Sequence, residues 1–548
     1  MSEFYNVARH VRRHAAERPD QAALKYPSAS YTDASPSWDT LSYREFENRS
    51  DQYARGFAAA GVRKHDRVLM LMKPQRDLWV VLFALFKIGA VPVIIDPGMG
   101  RKALLECIER IGCRVMIAES VLHALRTTFF RKAFRAAEVF ITVGPKLWWG
   151  GQKLSSCLVE GSEPFPLAQL DAMDGAAIAF TSGSTGTPKG VSYHQGMWEA
   201  AVDSIREMMD MKPGDVSVQA FAAFAIYDLC WGHTTVIPNC NLSKPATAPP
   251  QTMVAAIDAH KANVAFASPI IWRRVGPYCE SQGIQLHSLD KALTTGAPTP
   301  PEMVRQFASI LREGVEFHTP YGSTEAIPVS HIGSAELLAE CVEQTAKGAG
   351  TCVGHPAKGI HIELIEVTDA DIPVWADDLR VGEGQIGEIV VSGGQVSVEY
   401  KESPQGNASA KIRDGDTVWH RMGDLARFDD SGRLWFCGRK SHRLQTADGM
   451  LPCVPVEGIF NEHPDVFRTA LVGVGPRGHE EPVLAVEMLP SKRWDGAVEA
   501  ALSKLAEGTD YEGVVKRFLP HAGFPTDARH NSKIRRGELK RWAEGQAR

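Results

Sequence analysis

What this sequence has little of narrows it first. Its ten cysteines are scattered from Cys107 to Cys453, with no CxxC pair and no clustering with histidine of the kind that binds zinc. That pattern predicts free thiols in a reducing compartment, hence a cytoplasmic protein. Basic charge is in slight deficit: 60 Lys and Arg stand against 65 Asp and Glu, a net charge of -5. The whole chain therefore has no excess basicity to hold nucleic acid, and none is expected as a partner. The longest apolar run, Leu78 to Phe86, is too short to span a bilayer, and Lys87, Gly89 and Pro92 follow it closely. No transmembrane segment is expected. Residues 1–20 are polar, rich in Arg and His, and lack the apolar core of a signal peptide. No internal repeat is present.

What is present suits a large globular protein. Hydrophobic residues make up 44% of the 548, enough to bury a full core, and the length suggests more than one domain. An amphipathic pattern predicts a helix over 6–18. A second helix is expected to open at Leu41-Ser42-Tyr43 and run to about Ala60. Residues 66–72 read as a strand, 78–88 as a helix, and 91–95 as a buried strand ending at Asp96-Pro97-Gly98. Alternation of helix and strand continues to about residue 330, which predicts an α/β fold with mostly parallel sheets. Between 360 and 391 the texture shifts to short β runs around turns, predicting a β-rich subdomain. Beyond the strand at 434–437, helices near 456–461 and 494–506 and a strand at 469–474 predict a small α+β unit. The boundary falls near residue 440, giving domains 1–438 and 439–548.

The strongest chemical signal follows a buried strand at 176–180. Thr181-Ser182-Gly183-Ser184-Thr185-Gly186-Thr187-Pro188-Lys189-Gly190 combines glycines, hydroxyls and one cation. Glycines let backbone N–H groups converge on an anion, the hydroxyls add donors, and Lys189 adds a full charge. Each neutral hydrogen bond nets only about 0.5–1.5 kcal/mol, so a polyphosphate needs many donors and a cation together. The GxxxxGK[ST] pattern of P-loop NTPases is absent.

Further along, Tyr321-Gly322-Ser323-Thr324-Glu325 offers a ring to stack on a base, hydroxyls for a phosphate, and one carboxylate. Mg²⁺ takes one or two carboxylates and otherwise phosphate oxygens and water, so Glu325 alone suffices as its protein ligand. These two stretches resemble the signature motifs of the adenylate-forming superfamily, which holds acyl-CoA synthetases, nonribosomal-peptide adenylation domains and luciferases. Other segments extend the resemblance over residues 6–542. Thr295-Gly296-Ala297-Pro298 is similar to the segment that flanks adenine in that family. Asp424, in Trp419-His420-Arg421-Met422-Gly423-Asp424-Leu425, matches the aspartate that holds the ribose hydroxyls, and Arg439 matches an arginine that also reaches the ribose. Lys533, in His530-Asn531-Ser532-Lys533-Ile534-Arg535-Arg536, matches the lysine that contacts the acyl carboxylate and the α-phosphate. The resemblance implies ATP as substrate, Mg²⁺ as cofactor, and a mobile C-terminal lid carrying Lys533, with Lys189, Thr324 and Glu325 beside it at the chemistry.

The branch of the family is read from departures. Acyl-CoA synthetases carry a Gly-aromatic-basic-Ile motif after the hinge. Here Asp448-Gly449-Met450-Leu451-Pro452 has no basic residue, the hinge position is Ser441, and the aromatic-His gate falls at Phe224-Ala225. Four segments (95–101, 224–229, 319–329 and 527–534) resemble olefin β-lactone synthetases of bacterial long-chain olefin biosynthesis. That resemblance implies adenylation of a 2-alkyl-3-hydroxyalkanoic acid, attack by its own 3-hydroxyl to close a β-lactone, and other olefin-pathway enzymes as partners. Phe224, Ile226, Tyr227 and Trp231 are candidates for the wall of an apolar acyl pocket, with plain core packing as the alternative. Asp228 among them needs a hydrogen-bond partner. The competing readings are a long-chain fatty acyl-CoA synthetase or acyl-carrier-protein ligase, and a non-catalytic adenylate-binding scaffold.

Overall fold

In the computed structural model, residues 4–28, 33, 36–181, 188–526 and 534–546 are described. The alternation in the first 320 residues produces two large sheets. One has eight strands in the order Tyr400–Lys401, Lys189–His194, Gly175–Thr181, Val91–Ile95, Arg67–Leu71, Val115–Glu119, Val139–Val143 and Gln152–Lys153. Its last six strands are parallel, while Lys189–His194 and Tyr400–Lys401 join antiparallel. The other has seven strands: Glu316–His318, Lys291–Leu293, Val264–Phe266, Val216–Gln219, Thr234–Val236, Ala22–Pro27 and Trp38–Ser42. All but the final hairpin pair in parallel.

Four helices fill the space between these sheets: Tyr43–Ala59, Asp77–Ile88, Gln195–Met208 and Ala225–Trp231. Asp77–Ile88 buries all but its first two residues, which explains the nine-residue apolar run. Its Lys87 is fully buried, 2.5 Å from Asp51 and 2.9 Å from Glu47. Arg12 also bonds both carboxylates, so this buried cation is paired rather than orphaned.

The expected second helix starts later than its sequence suggests. Leu41 belongs to the strand Trp38–Ser42, and the helix begins at Tyr43. Ser42 caps it reciprocally with Glu45, so a Ser-x-x-Glu capping box marks the true start.

The β-rich segment is an antiparallel sheet of eight strands. Tyr321–Ser323, Ala326–His331, Thr351–Pro356, Leu434–Arg439, Thr417–Phe428, Gly387–Gly393 and Ile360–Ile365 lie side by side, and Lys411–Asp414 also pairs with Thr417–Phe428. The residues after 440 form a hairpin of Leu444–Thr446 with Gly449–Leu451, then a three-stranded sheet of Val466–Val474, Glu481–Met488 and Arg517–Pro520. These have cores of their own, one around Val456, Leu471 and Leu502, another around Ala470, Val483 and Leu539. Among the described residues no helix is long and apolar enough to cross a membrane.

Candidate active site

Sheet pairing gathers the motif residues at one place. Thr181 pairs with Lys189, so the two ends of the phosphate-loop motif are held together. Ser182, Gly183, Ser184, Thr185 and Gly186 lie outside the described residues. Tyr400, next to the Lys189 strand, pairs with Val191. Its ring lies 4.8 Å from the Lys189 ammonium and 5.2 Å from that of Lys411. Its hydroxyl donates to Glu325 Oε1 at 2.7 Å. Tyr400 thus joins the two motifs: cations over its ring, a carboxylate at its hydroxyl.

The Thr324-Glu325 backbone is fixed from behind. Tyr193 Oη donates to the Thr324 carbonyl at 2.7 Å, and the Ser397 N–H donates to the Glu325 carbonyl at 2.7 Å. Burial pushes the Lys189 pKa down, Glu325 counters this, and Lys440 adds to it. Lys411 is more deeply buried. Burial lowers its pKa to about 7, against the pull of Glu325 and with a further push from Lys189. Its ammonium donates to the Ser397 carbonyl. His420, behind it, donates from Nδ1 to the Ala410 carbonyl at 3.2 Å, and its pKa is held well below the imidazole range by burial, then by Lys411. Tyr400, Lys411 and His420 carry no sequence signal of their own as a cluster. Only the pairing of distant strands brings them to Glu325.

The ribose motif forms a second cluster. Asp424 pairs across the sheet with Arg439, whose guanidinium lies 2.9 Å from Oδ1. Tyr321 Oη donates to Asp424 Oδ2 at 2.6 Å. Burial raises the Asp424 pKa, and Arg439 and the Tyr321 hydroxyl oppose that. Gly322 and Ser323 continue the Tyr321 strand, and the Ser323 hydroxyl accepts from the Glu325 N–H at 3.2 Å. Gly296, Ala297 and Pro298 follow the strand Lys291–Leu293, with Gly296 at φ +94°, a conformation that glycine adopts without strain. Thr295 Oγ1 donates to the Pro320 carbonyl at 2.7 Å, tying that loop to the Tyr321 segment.

Below Tyr321 and Thr295 lies a narrow, mostly apolar cavity. Phe224 and Trp231 line it, together with Asp228, at helical spacing i, i+4, i+7. Ile226 and Tyr227 do not line it. They lie off that face of the helix, and Tyr227 stacks on Trp198 at 5.0 Å as core packing. Phe224 stacks on Phe266 at 4.6 Å. Thr295, Pro320 and Tyr321, which line it, follow the C-terminal ends of two parallel strands, where ligands bind in open α/β sheets.

Two further expectations fall at the C-terminus. Lys533 lies outside the described residues. Thr526 and Ile534 bridge across the base of its segment, and Arg536 forms a buried ion pair with Glu457 at 2.5 Å. Ser441 lies in the short turn Lys440–His442, and Lys440 reaches the buried Glu388 at 2.9 Å. His194 is structural: its Nδ1 caps the helix Gln195–Met208 by accepting from the Met197 N–H at 3.0 Å.

Residues 11–401 match the family model of AMP-binding enzymes. The chain belongs to that family. It is an adenylate-forming ligase, and ATP is the nucleotide that family uses. Two relatives span it fully. An olefin beta-lactone synthetase of Xanthomonas campestris is 39% identical over 100% of this chain and 99% of its own. One of Stenotrophomonas maltophilia is 38% identical over 100% and 99%. The O-succinylbenzoate coenzyme A synthetase of Bacillus subtilis, solved in complex with ATP and magnesium ion, shares the fold, with a TM-score of 0.75 at 18% identity over 97% of this chain and 99% of that one.

A single carboxylate beside a phosphate-loop motif fits Mg²⁺. No cluster of three or more His, Cys, Asp or Glu side chains gathers among the described residues, so phosphate oxygens and water would complete its shell.

Proposed function

We propose that this enzyme adenylates a 2-alkyl-3-hydroxyalkanoic acid and closes it to a β-lactone, releasing pyrophosphate and then AMP. The observation that carries the reading is the position of Tyr321. Its hydroxyl holds the ribose-motif carboxylate, and the same residue lines a mostly apolar cavity. Full-length identity of 39% to an olefin beta-lactone synthetase supports the choice of acid and of second step.

In this reading Asp424 and Arg439 hold the ribose, and Gly296, Ala297, Pro298 and Tyr321 flank the adenine. Thr181, Ser184, Thr185, Thr324 and Lys189 hold phosphates. Mg²⁺ on Glu325 would neutralise charge on the leaving pyrophosphate. The acid's carboxylate attacks the α-phosphorus. Lys533, carried by a lid of residues 439–548 that turns at Ser441, stabilises the charge that develops there. The acid's own 3-hydroxyl then attacks the acyl carbon. The acyl–oxygen bond to AMP breaks and the hydroxyl proton leaves. Because nucleophile and electrophile are tethered, a well-oriented attack recovers about 7–11 kcal/mol of barrier.

The second reading is an acyl-CoA ligase. One feature counts against it: the hairpin Leu444–Thr446 with Gly449–Leu451 presents Met450 and Leu451 where acyl-CoA synthetases carry a basic residue. Product analysis separates the two. ATP, Mg²⁺ and the hydroxy acid should give AMP and a product lighter than the acid by one water, with or without CoA. The acid lacking the hydroxyl should stop at the adenylate. CoA-dependent turnover of that deoxy acid would sink the lactone reading, and ADP as the main nucleotide product would sink adenylation itself.

A further inference from the structure

The cavity below Tyr321 is apolar except along one wall. Ser217 and Gln219 lie two residues apart on the strand Val216–Gln219, so both side chains leave the same face of the sheet. Both are buried. Gln219 donates through Nε2 to Asp228 Oδ2 at 3.2 Å, which fixes its amide orientation and turns Oε1 away from that bond. Among the described residues, Gln219 Oε1 and Ser217 Oγ have no protein hydrogen-bond partner.

Behind Gln219 the polar groups continue as a chain. Asp228 Oδ1 lies 3.3 Å from His233 Nδ1, and His233 Nε2 lies 3.8 Å from Asp215, which sits 3.6 Å from Lys291. Neither His233 ring nitrogen makes a hydrogen bond among the described residues, so the Gln219 amide is the side-chain partner that holds Asp228. The chain does not satisfy Gln219 Oε1 or Ser217 Oγ, both of which are shut away from solvent beside the cavity.

An unmatched acceptor and an unmatched hydroxyl in an apolar cavity cost stability unless something satisfies them. The group that fits both is an alcohol. Its O–H donates to Gln219 Oε1, and its oxygen accepts from the Ser217 hydroxyl. Two same-face strand residues stand about 7 Å apart along the strand, and the longer Gln219 side chain spans part of that distance.

Depth places this alcohol on the acid. Gln219 is in register with Phe266, and Phe266 with Leu293. Thr295, which also lines the cavity, is two residues beyond Leu293. At about 3.3 Å per residue the Gln219 row lies about 7 Å from the Thr295 row. Met208 and Met211 line the cavity near the start of the Val216–Gln219 strand, and they make its far end apolar. The polar wall therefore faces the part of an acyl group between carboxyl and tail.

We propose that Ser217 and Gln219 form a hydroxyl-recognition site, by which this enzyme selects hydroxylated acids over their deoxy counterparts before any ring closure. This rests on the cavity being the acyl site. The site acts in the first half-reaction, so it is read by adenylation alone.

The test is acid-dependent ATP–pyrophosphate exchange with a 2-alkyl-3-hydroxy acid, its deoxy counterpart and its 3-fluoro counterpart, which keeps a weak acceptor and lacks the donor. Two neutral hydrogen bonds predict a preference of about 10-fold to 100-fold in kcat/KM for the hydroxy acid over the deoxy acid. The fluoro acid should behave as the deoxy acid does. Ser217→Ala and Gln219→Met should each shrink that preference about 5-fold or more, and Ser217→Thr should restore it. Thermal melting confirms that each variant folds. An unchanged preference in both variants overturns the proposal and leaves the two groups bridged by water alone. Equal exchange with all three acids in the wild type overturns this proposal while leaving the acyl-site reading intact. Exchange with none of them overturns both.

Discussion

Tyr321 divides two regions built on opposite principles. On one side, Lys189, Lys411, Glu325, Tyr400, Asp424 and Arg439 form a dense array in which each charge has a partner within the protein. On the other, the cavity is walled by Phe224, Trp231, Phe266, Met208 and Leu293, with polar atoms along one wall. The first is set up for a ligand whose charges it already balances. The second excludes water and reads shape. The difference teaches how one fold serves many acids: charge geometry is shared by any nucleotide triphosphate, whereas the cavity wall can change one residue at a time.

The comparison breaks most completely at Glu325. Glu325→Gln keeps an acceptor for the Tyr400 hydroxyl and removes the charge, so the fold should persist while the proposed Mg²⁺ ligand is lost. Pyrophosphate exchange should fall about 100-fold to 1000-fold, with kcat changing more than the KM for the acid. An exchange rate within a few-fold of wild type would show that the array is a structural ion network.

Asp424→Asn should be milder and confined to the nucleotide. It weakens charge-assisted hydrogen bonds to the proposed ribose, so the KM for ATP should rise about 10-fold to 100-fold while the KM for the acid stays nearly constant. A parallel change in both constants would mean that Asp424 supports Tyr321, and through it the cavity, as well as the nucleotide.

Filling the cavity should do the reverse. Met208→Trp narrows the far end, so kcat/KM for long acids should drop about 10-fold, short acids should lose less, and the KM for ATP should not move. Equal loss for short and long acids would place the acyl tail elsewhere.

These residues differ in how far the sequence reveals them. The phosphate-loop motif and Tyr321-Gly322-Ser323-Thr324-Glu325 are contiguous, because consecutive backbone groups must wrap one ligand, so they are legible without any fold. The α/β alternation and the unit after residue 440 are legible because each element carries its own periodicity. Asp228 is legible as a polar residue in an apolar string, and Gln219 supplies the partner that it needs. Composition alone does not say which side of a helix faces a cavity, whereas the i, i+4, i+7 spacing of Phe224, Asp228 and Trp231 does. Leu41 misleads because an apolar residue before a capping serine fits a strand end as well as a helix start. Tyr400 and Lys411 are invisible in sequence: a tyrosine at the end of one strand and a lysine at the start of another become functional only when the two sheets bring them to Lys189 and Glu325.

Lys411 gives the smallest and most diagnostic prediction, because it lies in the charged region yet is buried as deeply as the cavity wall. Burial lowers its pKa to about 7, whereas in the unfolded chain it titrates as an ordinary lysine near 10.4. Between those two values the unfolded state binds more protons than the folded state. Stability from this group must therefore rise with pH from about 7 towards 10, and stay flat below 7 where both states are protonated. Lys411→Met removes the titration. The stability of wild type relative to the variant should improve by on the order of 2 kcal/mol between pH 7 and pH 9.5, read as the difference between their urea-unfolding free energies at each pH. Titrations common to both proteins largely cancel in that difference. A difference independent of pH would mean that Lys411 keeps its proton in the fold and stands as a permanent countercharge to Glu325. A difference that grows as specified would mean that the charged region contains a cation whose charge is set by pH near neutrality, so that the array beside Lys189 loses positive charge above pH 7 while the cavity is unaffected.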